Sequence, residues 1–383
     1  MPIRVVLLIV LLNMTAFRGS KVVVTLFAIE LGVPQLYIGA LIATYSVFPM
    51  FLGLYAGKLT DRLGVRLPMI AGTLGVVTAL LVPYVFPGVL ALYVSATLIG
   101  ATWVFYNVCA QNLVGILSNN ETRPRNFSNY GLVMAGGSFF GPMLAGFSID
   151  HFGHAQTYLH LAAVPLTSAL ILIAMRSMPA GLGKGKVSEE HAAYSANLLS
   201  NKPLRRTLIT SAIILTGTDL FQFYMPIYGH AAGLSASAIG MILGTFAVAA
   251  FVVRLGMPTM VKRVGADALL VGSLFIGAAA YLAFPLFENA FLLAAVAFVL
   301  GLGLGCSQPL SLMLIYDRAP PGRSGEALGL RLTINNFMHI AIPLLFGSIG
   351  TVFGVAPVFL ANAAIMAAGG IISRRPSAVG QAR

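Results

Sequence analysis

Long apolar runs separated by short polar turns fill almost the whole chain. A helix that crosses a bilayer needs about 20 mostly apolar residues. That criterion predicts twelve spans, at roughly 5–30, 36–56, 67–87, 89–116, 127–149, 155–175, 207–229, 235–257, 267–287, 290–316, 325–349 and 352–373. One polar stretch is long, from Ser177 to Arg206, and it divides the runs six and six. The expected organisation is a first bundle over 1–176, a linker over 177–206 and a second bundle over 207–383. Arg4 followed by Val5 to Leu12 imitates a signal peptide, but no small-residue cleavage pattern follows. The apolar character resumes after Lys21, so this segment reads as the first membrane helix.

Composition sharpens this picture. The chain has 383 residues, 58% of them hydrophobic and 9% charged, with a mean hydropathy of +0.90. Soluble domains carry about 25% charged residues, so a globular enzyme is excluded. The net charge of +12 does not point to nucleic acid, because the basic residues fall on one side of the predicted topology. With both termini cytoplasmic, 19 of the 23 Lys and Arg lie in inside segments and none in outside loops. That is the positive-inside pattern, and it predicts a multi-pass protein of the inner membrane. The remaining four, Arg18, Lys21, Arg254 and Arg331, fall within spans. Cys109 and Cys306 sit in apolar runs and suggest neither a disulfide nor a metal site. No phosphate-binding GxxxxGK[ST] pattern is present, so neither ATP hydrolysis nor any cofactor is expected.

Sliding the chain against itself by 201 residues reveals an internal repeat. Ile38-Gly39 falls on Ile239-Gly240, Arg62 and Gly64 on Arg263 and Gly265, and Gly100 on Gly301. Asn107 falls on Gln308, Pro142 on Pro343 and Gly146 on Gly347. Two parallel six-helix halves with a cavity near the bilayer midplane are what such a repeat implies.

An ionisable group at that depth costs several kcal/mol, about 2.5–3.5 on insertion scales, so each one is a functional candidate. Arg18 and Lys21 lie in the first span, Asp219 in the seventh, and Arg331 and His339 in the eleventh. The repeat places Arg18 opposite Asp219 and Lys21 opposite Gln222. Asp219 therefore reads as a protonatable carboxylate facing Arg18 or Lys21, or else as half of a permanent ion pair between the halves. Arg331, Asn335 and His339 form one polar ridge at four-residue spacing, and Asn107 with Gln111 forms another. Such amides serve either as glue between helices or as ligand contacts. His339 is either a titrating group or a hydrogen-bonded structural one. Trp103, beside Phe105 and Tyr106, is the aromatic candidate for the substrate site, and Gln308 joins it as the mate of Asn107.

The turn Gly57-Lys58-Leu59-Thr60-Asp61-Arg62-Leu63-Gly64-Val65-Arg66 joins the second and third runs. It resembles the loop between the second and third helices of the major facilitator superfamily, matching at Gly57, Leu59, Asp61, Arg62, Gly64 and Arg66. The resemblance implies a twelve-helix, all-α transporter of two pseudo-symmetric bundles, ordinarily a monomer, with this loop as a cytoplasmic gate. Its degraded copy is Pro258–Asp267, where Lys262 replaces the acid, and Arg254 lies within reach of that copy or of a neighbouring helix end. Gly137 to Gly146, with Gly141-Pro142 inside, is similar to the fifth-helix motif of proton-coupled antiporters of that superfamily. The fourth-helix arginine usual in those antiporters is replaced by Ala96.

These features predict a secondary transporter that moves a small organic solute and probes the proton gradient through Asp219, foremost as an exporter of amphipathic compounds. The alternative is a symporter or uniporter of an organic anion held by Arg18, Lys21 and Arg331. Asp61→Asn is expected to slow transport while leaving the protein folded. Wild-type turnover in that variant would remove the loop from the gate.

Overall fold

The computed structural model describes residues 2–118, 123–175, 198–319 and 324–374. The polar stretch at 176–197, most of the expected linker, lies outside these residues. Among them the regular structure is helical: α1 (Ile3–Glu30), α2 (Gln35–Leu63), α3 (Arg66–Val85), α4 (Val89–Ile116), α5 (Arg123–Ala174), α6 (Lys202–Ala231), α7 (Ala236–Val264), α8 (Ala266–Ala283), α9 (Ala290–Leu304), α10 (Ser307–Arg318), α11 (Ser324–Phe353) and α12 (Val355–Arg374). A single 3₁₀ turn, Phe284–Leu286, follows α8. Eleven segments are long and apolar enough to cross a membrane. One of them, Asn129–Ala174, has 46 residues. A straight helix of that length would run about 69 Å, over twice the ~30 Å hydrocarbon core. It does not run straight: Gly153, at φ 80° and ψ 172°, divides α5 into two helices.

Three boundaries differ from the sequence reading. The charged turn at 57–66 is mostly helix, because α2 continues through Leu63 and only Gly64 and Val65 connect it to α3. Nothing between Lys58 and Leu63 breaks a helix, and Gly64 at φ 74° is the first residue able to reverse the chain cheaply. The expected linker ends earlier than residue 206, since α6 starts at Lys202 with the Asn201 side chain accepting from the Leu204 amide. The tenth run is two helices, α9 and α10, separated at Gly305-Cys306. A Cβ at Gly305 would lie 2.5 Å from the Ala250 Cα, so close backbone packing governs that break.

The 201-residue repeat is visible in the backbone. The positive-φ glycines among the described residues fall into three pairs at that offset: Gly32 and Gly233 (71° and 75°), Gly64 and Gly265 (74° and 87°), and Gly153 and Gly354 (80° and 83°). The caps repeat as well. The amide of Gly32 bonds to Ile29 O and that of Val33 to Ala28 O, while Gly233 bonds to His230 O and Leu234 to Gly229 O.

Contacts between the parts before and after the 176–197 stretch follow the same symmetry. α2 packs on α11, and α5 packs on α7. A Cβ at Gly39 would meet Pro343 O at 2.2 Å, and one at Gly240 would meet Pro142 O at 2.5 Å. One at Gly146 would meet Ala236 O at 2.3 Å, and one at Gly347 would meet Gln35 O at 3.0 Å. Small residues let helix axes approach this closely. Hydrogen bonds finish the same end. The Asp150 carboxylate accepts from the Ala236 and Ser237 amides at 2.9 and 2.8 Å, capping α7. Thr351, which is 201 residues after Asp150, accepts from the Leu36 amide at 2.9 Å and caps α2. Tyr224 OH donates to Gln35 Oε1 at 3.2 Å across the same contact. At the opposite end, where the basic residues collect, Arg66 donates to Ile173 O and Asn201 to Arg318 O, each within one side of the 176–197 stretch. The molecule is therefore closed at the Asp150 end.

Gly240→Val places a methyl-bearing carbon against the Pro142 carbonyl and is expected to force that end open. The check is maleimide labelling of Ala236→Cys, in a background lacking Cys109 and Cys306. Labelling should rise several-fold with Gly240→Val. An unchanged rate would mean that the contact does not hold the closed state.

Candidate functional site

α1 and α6 are equivalent helices of the repeat, and they meet near the middle of the molecule. Each presents a polar patch there. From α1 come Arg18 and Lys21, and from α6 come Asp219 and Gln222. The Arg18 guanidinium donates through Nη1 to Gln222 Oε1. The Asp219 Oδ2 pairs with Nδ1 of His339 on α11. Lys21 and Arg18 both act on Asp219 through their charge. The sequence suggested a direct pairing of Asp219 with Arg18 or Lys21. In the closed-end conformation the direct partner is His339, and the two cations bear on the carboxylate from further away.

Aromatic rings hold Lys21 in place. The Lys21 ammonium lies 5.2 Å from the Phe17 ring centroid and 5.5 Å from that of Tyr45. A cation over an aromatic face is stabilised by about 0.5–2 kcal/mol, more when it is desolvated. Phe17 in turn stacks on Trp103 at 4.2 Å and 14°. Trp103 is buried, so it backs the ring that carries Lys21 and sets the shape of that wall.

A second polar layer lies toward the basic end. Tyr130 OH and Gln111 Nε2 both donate to Asn107 Oδ1, each at 3.2 Å. Arg331 Nη2 donates to Gln308 Oε1 at 2.6 Å. These are one hydrogen bond used twice, since Gln308 lies 201 residues after Asn107 and Arg331 lies 201 after Tyr130. Tyr130 was not a sequence candidate, but the offset would have found it. Asn335 is half-buried between Arg331 and His339 on α11. The Nε atoms of Arg18 and Arg331 are buried with no hydrogen-bond partner. An unpaired buried donor is costly, so each guanidinium retains capacity for a further acceptor.

The expected gate residues are placed as follows. Gly141 packs on α1, where its Cβ would meet Thr15 O at 2.6 Å, and Pro142 supplies the carbonyl against Gly240. Arg254 donates through Nε to Gly305 O at 2.8 Å, tying α7 to the break between α9 and α10. Gly64 forms the turn, and Arg66 ties α3 to the end of α5. The contacts of Gly57, Asp61 and Arg62 lie outside the described residues. Asp150 and Thr351, the two interlocking caps, escaped the sequence reading because neither is an intramembrane charge or part of a motif.

Two symmetry-related helix pairs, a closed end and a polar centre shared by equivalent helices define a multi-pass membrane transporter. A sequence profile of the Major Facilitator Superfamily matches residues 6–343 and 207–380, and the chain belongs to that family. Among curated relatives, a multidrug resistance protein MdtG of Klebsiella pneumoniae (strain 342) is 21% identical over 356 residues, covering 90% of this chain and 85% of that one. The multidrug efflux pump LfrA of Mycolicibacterium smegmatis is 21% identical over 370 residues, covering 82% and 73%. Among solved structures, the nucleoside transporter NupG superposes with a TM-score of 0.82 at 14% identity, over 97% of this chain and 98% of that one. A peptide transporter POT in complex with sulfate gives 0.78 at 15% identity, over 97% and 93%. At these identities the structures share the fold.

The Asp219–His339 contact is testable by a double-mutant cycle on thermal unfolding. A hydrogen bond to a charged group contributes about 1.5–3 kcal/mol, so Asp219→Asn and His339→Ala should couple by about 1 kcal/mol or more. Additive effects would show that the two side chains act independently.

Proposed function

We propose that the protein is a secondary transporter with twelve crossings, arranged as two six-helix halves, that exports small amphipathic compounds in exchange for protons. The 46-residue segment bent at Gly153 supplies two crossings, which takes eleven apolar segments to twelve. The basic end is cytoplasmic by the positive-inside rule. The closed Asp150 end then faces outward, and the structure is inward-facing. One chain forms the whole path, so a monomer suffices.

The observation that carries the coupling is the Asp219–His339 pair within the second half, with Asp219 on α6, the helix that meets α1. A carboxylate and an imidazole in contact can hold a proton between them, and nearby Lys21 and Arg18 alter its affinity. Rocking of one half against the other separates α1 from α6, changing the distance from those cations to Asp219. Proton affinity thus changes with the side that is open, which is the requirement for coupling. The multidrug names of the relatives in Klebsiella and Mycolicibacterium support outward transport of drug-like compounds.

A second reading rests on a separate observation. Arg18, Lys21 and Arg331 outnumber Asp219 at the centre, and two guanidinium Nε atoms lack partners. That arrangement suits an organic anion taken up with a proton or by facilitated diffusion.

Flux into and out of proteoliposomes under imposed pH gradients separates the readings. Antiport predicts that substrate accumulates on the acidic side, and that Asp219→Asn abolishes accumulation while allowing exchange. Accumulation of an organic anion on the alkaline side, lost in Arg18→Ala, would replace the export reading with the second one.

A further inference from the structure

In the first half, α1 and α5 close on each other along a glycine seam. A Cβ at Gly137 would lie 2.6 Å from Met14 Cβ, and one at Gly141 would lie 2.6 Å from Thr15 O. In the second half, the positions 201 residues after Gly136, Gly137 and Gly141 are Phe337, Met338 and Ile342 on α11. Those side chains hold α11 away from α6, and the equivalent seam stays open. A groove of about 520 Å³ results, with α6 and α11 as walls and Ala361 and Ile365 of α12 along one edge. Apart from Arg205 and Thr216, its lining is apolar. Ile209, Phe337 and Leu345 are more than half exposed along it, so it opens to the side of the molecule and not into the polar centre.

We propose that this groove binds one acyl chain of an anionic phospholipid, with the headgroup phosphate at Arg205. Length and charge both select that occupant. From Arg205 to Thr216, α6 rises about 16 Å at 1.5 Å per residue. One leaflet of the hydrocarbon core is about 15 Å deep, so the groove spans the depth of a single acyl chain. Arg205 lines the groove at its basic end, exposed, with exposed Lys202 one turn before it. Basic pockets between membrane helices at the cytoplasmic surface are suited to phospholipid headgroups. A cationic amphiphile would meet Arg205 and Lys202 with like charge. Met338 and Thr216 line the groove, while His339 and Asp219, on the same two helices, form the proposed coupling pair. A lipid seated there fixes the separation of α6 and α11, and with it the contact between Asp219 and His339. The binding itself does not depend on what is transported or in which direction.

Native mass spectrometry of the full chain, released from phosphatidylcholine nanodiscs containing phosphatidylglycerol, reads lipid retention directly. The wild type should retain one phosphatidylglycerol about fivefold in preference to phosphatidylcholine, the factor that about 1 kcal/mol for a basic residue near the surface implies. Ala341→Phe fills the groove and should lose the retained lipid of either kind. Ala212→Phe does the same from the α6 wall, should the first variant fail to fold. Arg205→Gln should keep a lipid and lose the preference. Equal retention of the two lipids by the wild type would overturn the proposal, as would unchanged retention in a folded groove-filling variant.

Discussion

The contact on which the rest of this architecture depends is helix backbone against helix backbone at the Asp150 end. Gly39 lies against the Pro343 carbonyl and Gly240 against the Pro142 carbonyl, with no side chain between them. In a bilayer the lipid tails are as apolar as the helices, so burying more apolar surface does not hold two bundles together. Close packing and hydrogen bonds must do so. The glycine contacts provide the first, and the caps from Asp150 and Thr351 provide the second. Both are local to one end. Packing and hydrogen bonding thus coincide at that end.

Much of this was legible in the chain itself. Run length and the placement of Lys and Arg are one-dimensional properties, and helices follow from them because hydrocarbon leaves the backbone no other hydrogen-bond partner. The 201-residue offset was equally readable, and it even located the interdomain glycines at 39, 146, 240 and 347. What could not be read was which side chain meets which. The repeat set Asp219 against Arg18 or Lys21, yet the side chain in contact with it is His339, whose mate in the first half is Ser138. Pairing across helices depends on their rotation and tilt, which the apolar pattern of a membrane helix constrains weakly because lipid and protein interior are alike in polarity. The continuation of α2 through Leu63 was missed for a related reason. A polar sequence marks the membrane surface, but it does not mark the end of a helix.

Symmetry is kept in the turns and broken at the polar centre. The turns at Gly32, Gly64 and Gly153 have copies with nearly the same backbone angles. The Asn107–Tyr130 and Gln308–Arg331 bonds keep their geometry while one donor changes from a phenol to a cation. At the centre the substitution is complete: the repeat mate of Arg18 is Asp219, and that of Lys21 is Gln222. A two-fold arrangement of identical charges at that depth would repel itself. Opposite or neutral mates permit both halves to approach, and their mutual attraction weakens whenever the halves part.

The same reasoning explains why the two inner seams differ. Gly137 and Gly141 make α1 and α5 a single rigid unit with Arg18 and Lys21 fixed on its face, the rings of Phe17 and Tyr45 clasping the ammonium. Met338 and Ile342 leave α6 and α11 joined more loosely, and these two helices carry Asp219 and His339. Arg18 and Lys21 therefore sit on the stiff pair of helices, and the Asp219–His339 contact, with Arg331, on the compliant pair. A change in the Asp219–His339 contact can alter the spacing of α6 and α11 at little cost in packing, whereas the same shift between α1 and α5 would drive backbone into backbone. The pair that can yield, α6 with α11, is the one that carries the Asp219–His339 contact.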